Sequence, residues 1–358
     1  MSDAKSVFLE THNINNRATG LGTFNYELIK GLHQLNFENL DLCLNSGKPK
    51  LLKNEFGDVF KYHKYMSLHR YKAFRPMAKF DLWHSVNQNS KLEPRVNTKY
   101  LLTVHDVNFV EEISSDMNHK KNQLFIEKLN RANAITYISE FAKKQTHDYF
   151  KVPNIPEYII YNGNPISTLL DTSAFVSNVP VDKPFFYTIG DFIERKNYTS
   201  IINMMKLMKD FNLIISGNNT KKYGQVIKDL IKKNNLTNQV FLTGKVSDEG
   251  KQFYMKNCIA FLFPSIREGF GLPPIEAMSF GKPVFLSNKT SLPEIGGEMS
   301  NYWSDFDPEY MKNVLIDGLD NYENNKSVIE AEMKKRAASF DWKIAASNYL
   351  NIYKEILK

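Results

Sequence analysis

The chain has 358 residues, a length that favours two hydrophobic cores over one. Hydrophobic residues make up 42% and charged residues 24%, the composition of an ordinary soluble globular protein. Two cysteines, Cys43 and Cys258, exclude a disulfide scaffold and fit a reducing, cytoplasmic compartment, and the net charge of +7 suits an anionic ligand or surface without demanding one.

In chain order, the N-terminal stretch MSDAKSVFLETHN carries no signal-peptide pattern, and no run approaches the ~20 apolar residues of a membrane span. Short β-rich runs then alternate with helical patterns. Strands are predicted at 6–10, 40–44, 82–85, 100–104, 134–138 and 158–160, and again at 185–189, 212–216, 240–242, 260–263 and 283–286. Helices are predicted at 23–35, 120–131, 140–150, 198–209, 223–234, 248–256, 273–280 and 342–357. Alternation of this kind implies α/β architecture with parallel sheets covered on both faces, which bind ligands outside the carboxyl ends of their strands. The pattern breaks once, in the polar stretch Thr172–Lys183. The expected domains are therefore 1–175 and 184–340, with a helix over 341–358 returning to the first.

One segment stands apart in charge. Nine lysines and arginines fall between Lys48 and Lys79, opposed by Glu55 and Asp58 alone and interleaved with six aromatic residues. Cations among aromatic rings suit an anionic membrane surface. The competing reading is a solvated loop whose aromatics face the core. No nucleic-acid module accompanies the segment, and no such partner is expected.

The chemistry concentrates in Pro264–Gly281, PSIREGFGLPPIEAMSFG. A strand ends at Pro264, a loop carries Gly269 and Gly271 around Phe270, and Pro273 and Pro274 mark a helix start. A helix N-terminus beside glycines suits a diphosphate. Glu276, expected in the first helical turn, suits the hydroxyls of a ribose, and Glu268 precedes the loop. Each glutamate alone reads as a structural residue; both, joined by this loop, do not. A second cluster, Gly190–Asn197 (GDFIERKN), places Arg195 and Lys196 directly after a strand, where two cations can meet a diphosphate.

The block Glu268-Gly-Phe-Gly-Leu-Pro-Pro-Ile-Glu276 resembles the E-x7-E signature of family 4 retaining glycosyltransferases, which have the GT-B fold of two Rossmann-like domains with a cleft between them. FLTGKVSDE around Gly244, GKPV at Gly281–Val284 and SLPEIGG at Ser291–Gly297 agree with it. The resemblance is dense in the second domain and sparse in the first. It implies that Glu276 binds the donor ribose and Glu268 the transferred sugar, and that the backbone at Gly269, Phe270, Gly271 and Leu272 holds sugar and phosphate. Gly244, Lys245 and Val246 would lie near the base, with Gly190, Arg195 and Lys196 at the phosphates. The chain departs from many members in having Asp191 where a basic residue commonly follows the glycine. Gly20-Leu-Gly22-Thr23, short of a full dinucleotide fingerprint, is similar to the family's N-terminal glycine loop before a helix. His105, at a strand's carboxyl end, reads as a catalytic or acceptor-positioning residue, its alternative being a structural histidine.

The resemblance implies transfer of a hexose, with retention, from a nucleoside diphosphate sugar such as GDP-mannose or a UDP-sugar. The acceptor would be a saccharide, lipid-linked, in surface polysaccharide synthesis, at the cytoplasmic face of a membrane. No cofactor is expected, and no acidic cluster has metal-ligand spacing. Two further readings stay open: a nucleotide-sugar epimerase or phosphorylase on the same fold, and a non-catalytic nucleotide-sugar-binding protein.

Overall fold

The computed structural model describes residues 4–17, 19–95 and 97–358. They form two compact units. The first comprises the described residues up to Pro165 together with Asp341–Lys358, the second Ile166–Phe340.

The first unit runs β1 (Lys5–Leu9), α1 (Gly20–His33), β2 (Leu40–Ser46), α2 (Pro49–Phe56), β3 (Lys61–Lys64), β4 (Leu82–Ser85), β5 (Lys99–Val104), α3 (Phe109–Glu112), α4 (Lys120–Arg131), β6 (Ala134–Tyr137), α5 (Glu140–Tyr149) and β7 (Glu157–Ile159). Its seven strands lie in the order β3-β2-β1-β4-β5-β6-β7, all pairs parallel. Strands β4 and β6 are buried throughout, β5 beyond its first residue and β1 over its last three, as a sheet covered on both faces requires. On one face Phe8 stacks on Trp83, and Phe109, Phe125 and Phe150 close the core.

The second unit runs β8 (Phe185–Ile189), α6 (Tyr198–Met205), β9 (Asn212–Ser216), α7 (Lys222–Lys233), β10 (Val240–Gly244), α8 (Asp248–Asn257), β11 (Ala260–Phe263), α9 (Leu272–Met278), β12 (Val284–Ser287), α10 (Leu292–Gly296), β13 (Asn301–Trp303), α11 (Pro308–Asn324) and α12 (Lys326–Ala338). Its sheet is β10-β9-β8-β11-β12-β13, again all parallel. The expected first domain ended at residue 175, but 166–175 lie with the second unit. There the Leu170 N–H donates to Gln252 Oε1 (2.9 Å), and the Gln252 amide donates to the Thr168 carbonyl (3.2 Å).

The last helix, α13 (Trp342–Leu357), belongs to the first unit. Asp341 caps it by accepting the N–H groups of Lys343 and Ile344. It crosses α1 closely at Gly31, where a Cβ would stand 2.6 Å from the Trp342 carbonyl oxygen. Gly163 has the same reason to be glycine: its Cβ would lie 2.2 Å from the Trp342 nitrogen.

The basic segment divides. Phe56 and Phe60 are buried, whereas Tyr71 and Phe74 are 65% and 57% exposed, so the aromatics do not share one environment. Both cysteines are free and buried. Among the described residues no helix is long and apolar enough to cross a membrane.

Candidate active site

In the second sheet the chain steps outward from β8 to β9 and β10, then crosses back to lay β11 on the other side of β8. The loops leaving β8 and β11 therefore diverge, and the carboxyl ends of these two strands frame the switch-point crevice where open α/β sheets bind ligands. Gly190 follows β8, and Pro264–Gly271 follows β11. Both segments singled out in the sequence meet at this one edge.

Two side chains lock them together. Lys196 Nζ lies 2.5 Å from Glu268 Oε1, and Arg195 Nη1 lies 3.1 Å from Glu268 Oε2. Ser265 Oγ donates to Glu268 Oε1 at 2.7 Å, and Arg195 also donates to the Arg267 carbonyl at 2.6 Å. Lys196 and Glu268 are each only 8% exposed, and the Lys196 ammonium lies 4.6 Å from the centre of the Phe263 ring. Burial alone would raise the Glu268 carboxyl. The charges of Lys196 and Arg195 and the hydrogen bonds from Lys196 and Ser265 outweigh it and hold the group down at about 2. Burial pulls Lys196 below the usual lysine value, against the carboxylate that holds its proton. Glu268 is thus a fixed anion and no proton donor. Two cations and one carboxylate leave the cluster one net positive charge.

The backbone around it is stitched by glycines. The Gly190 N–H donates to the Ser216 carbonyl (3.0 Å), and the Gly217 N–H donates to the Gly244 carbonyl (2.8 Å). The carboxyl ends of β8, β9 and β10 therefore form one continuous rim. Gly217 has φ +139°, and a Cβ on it would stand 1.9 Å from the Gly190 oxygen. A Cβ on Gly190 would meet the Tyr198 hydroxyl at 2.9 Å. Gly244, Lys245 and Val246 close the rim at β10, with β9 between them and β8.

The loop after Glu268 is held from behind by the SLPEIGG segment. The Glu268 N–H donates to Thr290 Oγ1 (3.1 Å), and Ser291 Oγ donates to the carbonyls of Glu268 (3.1 Å) and Phe270 (2.7 Å). The Phe270 ring is buried edge-on against Phe340, so Gly269, Phe270 and Gly271 offer backbone there. Gly271 takes φ +122°, a conformation open to glycine, and starts α9.

Two sequence expectations need correction. Glu276 is not in the first turn of its helix: α9 begins at Leu272, which puts the glutamate one turn further on, facing α8. There Glu276 Oε1 accepts from Lys251 Nζ at 3.2 Å, and Lys251 is also 3.5 Å from Asp248 Oδ1. Burial works against the Lys251 charge, but these two carboxylates raise its pKa above the ordinary lysine value. Nor does Gly20-Leu-Gly22 form a loop ahead of a helix. Thr19 caps α1 by accepting the Gly22 N–H, so both glycines are helical. Gly22 is there because a Cβ would fall 1.8 Å from the Asn16 carbonyl oxygen.

Gly20, Gly22 and His105 lie in the first unit, the remaining candidates in the second. His105 follows β5 with its ring edge-on to Phe24. Its Nε2 donates to the Val86 carbonyl (2.8 Å), which leaves Nδ1 as the acceptor. Burial pushes this imidazole down to about 4, although the Val86 carbonyl pulls the other way. His84 is structural: it bonds Tyr353 Oη (2.7 Å) and Thr103 Oγ1 (2.8 Å) in full burial.

Sequence reasoning missed Gly217, Ser265, Lys251 and the pair Glu10–His12. The signal for Gly217 was present, since glycine directly follows the predicted strand 212–216 as Gly190 follows 185–189. Glu10 and His12 follow β1, whose neighbour β4 marks the first sheet's own switch point. His12 Nδ1 bonds Glu10 Oε1, the His12 ring stacks on Tyr65, and Glu10 Oε2 is buried without a partner. Among the described residues no group of three or more His, Cys, Asp or Glu side chains is arranged to hold a metal.

Residues 171–335 match the family model of glycosyl transferases group 1. The chain is 23% identical to O-antigen chain mannosyltransferase B of Escherichia coli, over 97% of this chain and 99% of that protein. Sucrose-phosphate synthase from Thermosynechococcus elongatus superposes with a TM-score of 0.74 at 17% identity, covering 98% of this chain and 99% of that one. Anabaena HepE in complex with UDP-glucose also superposes with a TM-score of 0.74, at 14% identity and the same coverage. The fold is GT-B. The chain is a glycosyltransferase, and residues 171–335 are the part similar to group 1 of these enzymes.

Proposed function

We propose that the chain transfers a hexosyl group, with retention and without a metal, from a nucleoside diphosphate sugar to a lipid-linked saccharide in surface polysaccharide synthesis. Mannose is the favoured sugar, after the O-antigen mannosyltransferase with which the chain aligns end to end. The observation that carries the reading is the Arg195–Lys196–Glu268 cluster at the β8/β11 switch point. Arg195 and Lys196, held at the strand ends by one buried carboxylate, supply a fixed positive field for charge developing on a leaving diphosphate. Fixed charge of this kind costs no reorganisation during reaction. Glu268 Oε2 keeps a lone pair for a sugar hydroxyl, and Glu276, oriented by Lys251, accepts from the ribose. The Gly190–Gly217–Gly244 rim lets nucleotide approach backbone closely. The acceptor belongs to the first unit, where Glu10–His12 and His105 stand at strand carboxyl ends. The basic segment 48–79 docks the enzyme on an anionic membrane surface.

The test is thermal stabilisation, in EDTA, by a panel of nucleoside diphosphates and nucleotide sugars. A ligand that binds only the folded state raises the melting temperature by mass action. One diphosphate is expected to do so with wild type and to fail with Glu276→Ala. Absence of any shift would sink the donor site. Turnover of the identified donor with and without saccharide acceptor then separates transfer from epimerisation, and the anomeric configuration of the product tests retention.

A further inference from the structure

The first unit contains a cavity of about 540 Å³. It lies between the chain entering β5 (Glu93, Pro94, Arg95, Asn97 and Thr98), the last turns of α4 and the short turn at Lys72–Arg75. These mark the amino-terminal edge of the parallel sheet, opposite the edge that carries Glu10, His12 and His105. Five cations line it, Lys72, Arg75, Arg95, Lys128 and Arg131, against Glu93 and Glu127. Glu93 is already saturated. It takes Lys128 at 2.8 Å and Arg131 at 2.5 Å and accepts from Tyr100 Oη at 3.1 Å. Among the described residues Lys72, Arg75 and Arg95 have no carboxylate partner, and Arg75 Nε is buried without a hydrogen-bond acceptor. Crowded like charges and an orphaned guanidinium nitrogen are unfavourable as they stand. A doubly charged oxyanion relieves both, and two guanidinium forks suit phosphate oxygens.

The same segment is apolar outside the cavity. Tyr71, Phe74 and Met77 are 65%, 57% and 70% exposed and flank Lys72 and Arg75 in sequence. Cations turned into a pocket beside rings and a thioether turned to solvent match one kind of molecule, a phosphate ester with a hydrocarbon tail. We infer that this cavity binds the phosphate of an anionic membrane lipid while Tyr71, Phe74 and Met77 enter the acyl boundary. The inference rests on the membrane part of the proposed function for the source of the phosphate. The cavity by itself supplies the chemistry.

Sedimentation with phosphatidylglycerol vesicles, with phosphatidylcholine vesicles as the neutral control, tests it on the full chain. Arg75→Gln/Arg95→Gln is expected to weaken binding to phosphatidylglycerol at least tenfold more than Lys50→Gln/Lys64→Gln, which removes the same charge from outside the cavity. Arg75→Lys/Arg95→Lys keeps the charge but not the fork and is expected to fall with the glutamine pair. In parallel, inorganic pyrophosphate should raise the melting temperature of Arg195→Gln/Lys196→Met/Glu268→Gln, in which no buried charge is left unpaired, and that rise should vanish when Arg75 and Arg95 are also replaced. Donor turnover should not change in the Arg75 and Arg95 variants, which reports on their folding. Wild-type binding by the lysine pair would overturn the site in favour of diffuse attraction. Pyrophosphate stabilisation without any vesicle binding would overturn the lipid occupant and the membrane reading together, leaving glycosyl transfer untouched.

Discussion

Lys196 and Glu268, 72 positions apart in sequence, meet at 2.5 Å and tie together the loops that leave the two strands flanking the second sheet's switch point. The pair is buried, so its two charges depend on one another. Removing one partner of such a pair costs about 3–5 kcal/mol, whereas replacing both by neutral groups of similar shape costs far less. Lys196→Met is therefore expected to lower stability by several kcal/mol, softened where Arg195 takes up part of the carboxylate. Lys196→Met/Glu268→Gln should recover most of that loss. Turnover should fall about a hundredfold or more in both. Urea unfolding beside donor turnover checks this, and a single variant as stable as wild type would show that the pair is not buried.

Three deeply buried groups contribute to the acid response of stability. Burial lowers His84 to about 3, with a smaller contribution from the neighbouring His105, and lowers His105 itself to about 4. The unfolded rings take a proton near 6.5 that the fold refuses. Their contribution is complete above that value and is lost as pH falls toward 4 and 3, at up to about 1.4 kcal/mol per pH unit for each ring. Glu268 acts lower: its contribution is present above the unfolded value of 4.5 and is lost as pH falls toward about 2. Urea midpoints between pH 7 and 4.5 should fall steeply in wild type and less steeply in His84→Gln/His105→Gln. Parallel slopes would refute the assignment. The Glu268 cluster itself should stay ionised throughout that range.

Gly217→Ala sets a methyl group 1.9 Å from the Gly190 oxygen at a φ that L-residues avoid. The rim must open to admit it. A loss of about 1–3 kcal/mol in the second unit is expected, with donor affinity falling further than stability alone explains. The equivalent change at Gly20, whose Cβ meets nothing within 4 Å, should leave the fold intact. Denaturation and nucleotide titration of the two variants side by side make the comparison.

Lys251→Met removes the cation that aims Glu276 without touching the Arg195–Lys196–Glu268 cluster. Michaelis constants for the donor should rise about tenfold while the maximal rate stays near wild type, the pattern of lost positioning rather than lost chemistry. A fall in maximal rate with an unchanged Michaelis constant would remove Lys251 from this role.

Much of the frame was readable from residue order. Strands 82–85, 185–189, 212–216 and 260–263 lie where apolar runs predict them, because a central parallel strand is buried on both faces and shows as an unbroken run. The edge strands β3 and β13 escaped. KYHK at Lys61–Lys64 has a half-exposed, polar face and reads as loop, and Asn301–Trp303 is three residues long. Helix α11 escaped although its start signal was present, Asp307 capping Glu309 and Tyr310 ahead of Pro308. At the site, the segments were visible but their pairing was not. Nothing in Arg195-Lys196 or in Glu268 says that β11 folds back beside β8, and that adjacency alone brings the charges together. The turn holding Glu276 was misplaced by one because the helix begins at the residue before its prolines.

The return of α13 to the first unit has a consequence in time as well as space. Trp342, Tyr349 and Tyr353 complete a core begun by Phe24 and His84, yet they leave the ribosome after the whole of Ile166–Phe340. At roughly 5–20 residues per second, the nascent first sheet waits on the order of ten to thirty-five seconds for its last helix. During that wait the groove at Gly31 and Gly163 stands open, and the second unit receives its last residue before α13 begins. The unit begun first is therefore the one finished last, and early termination anywhere before residue 341 leaves that first core uncovered on one face.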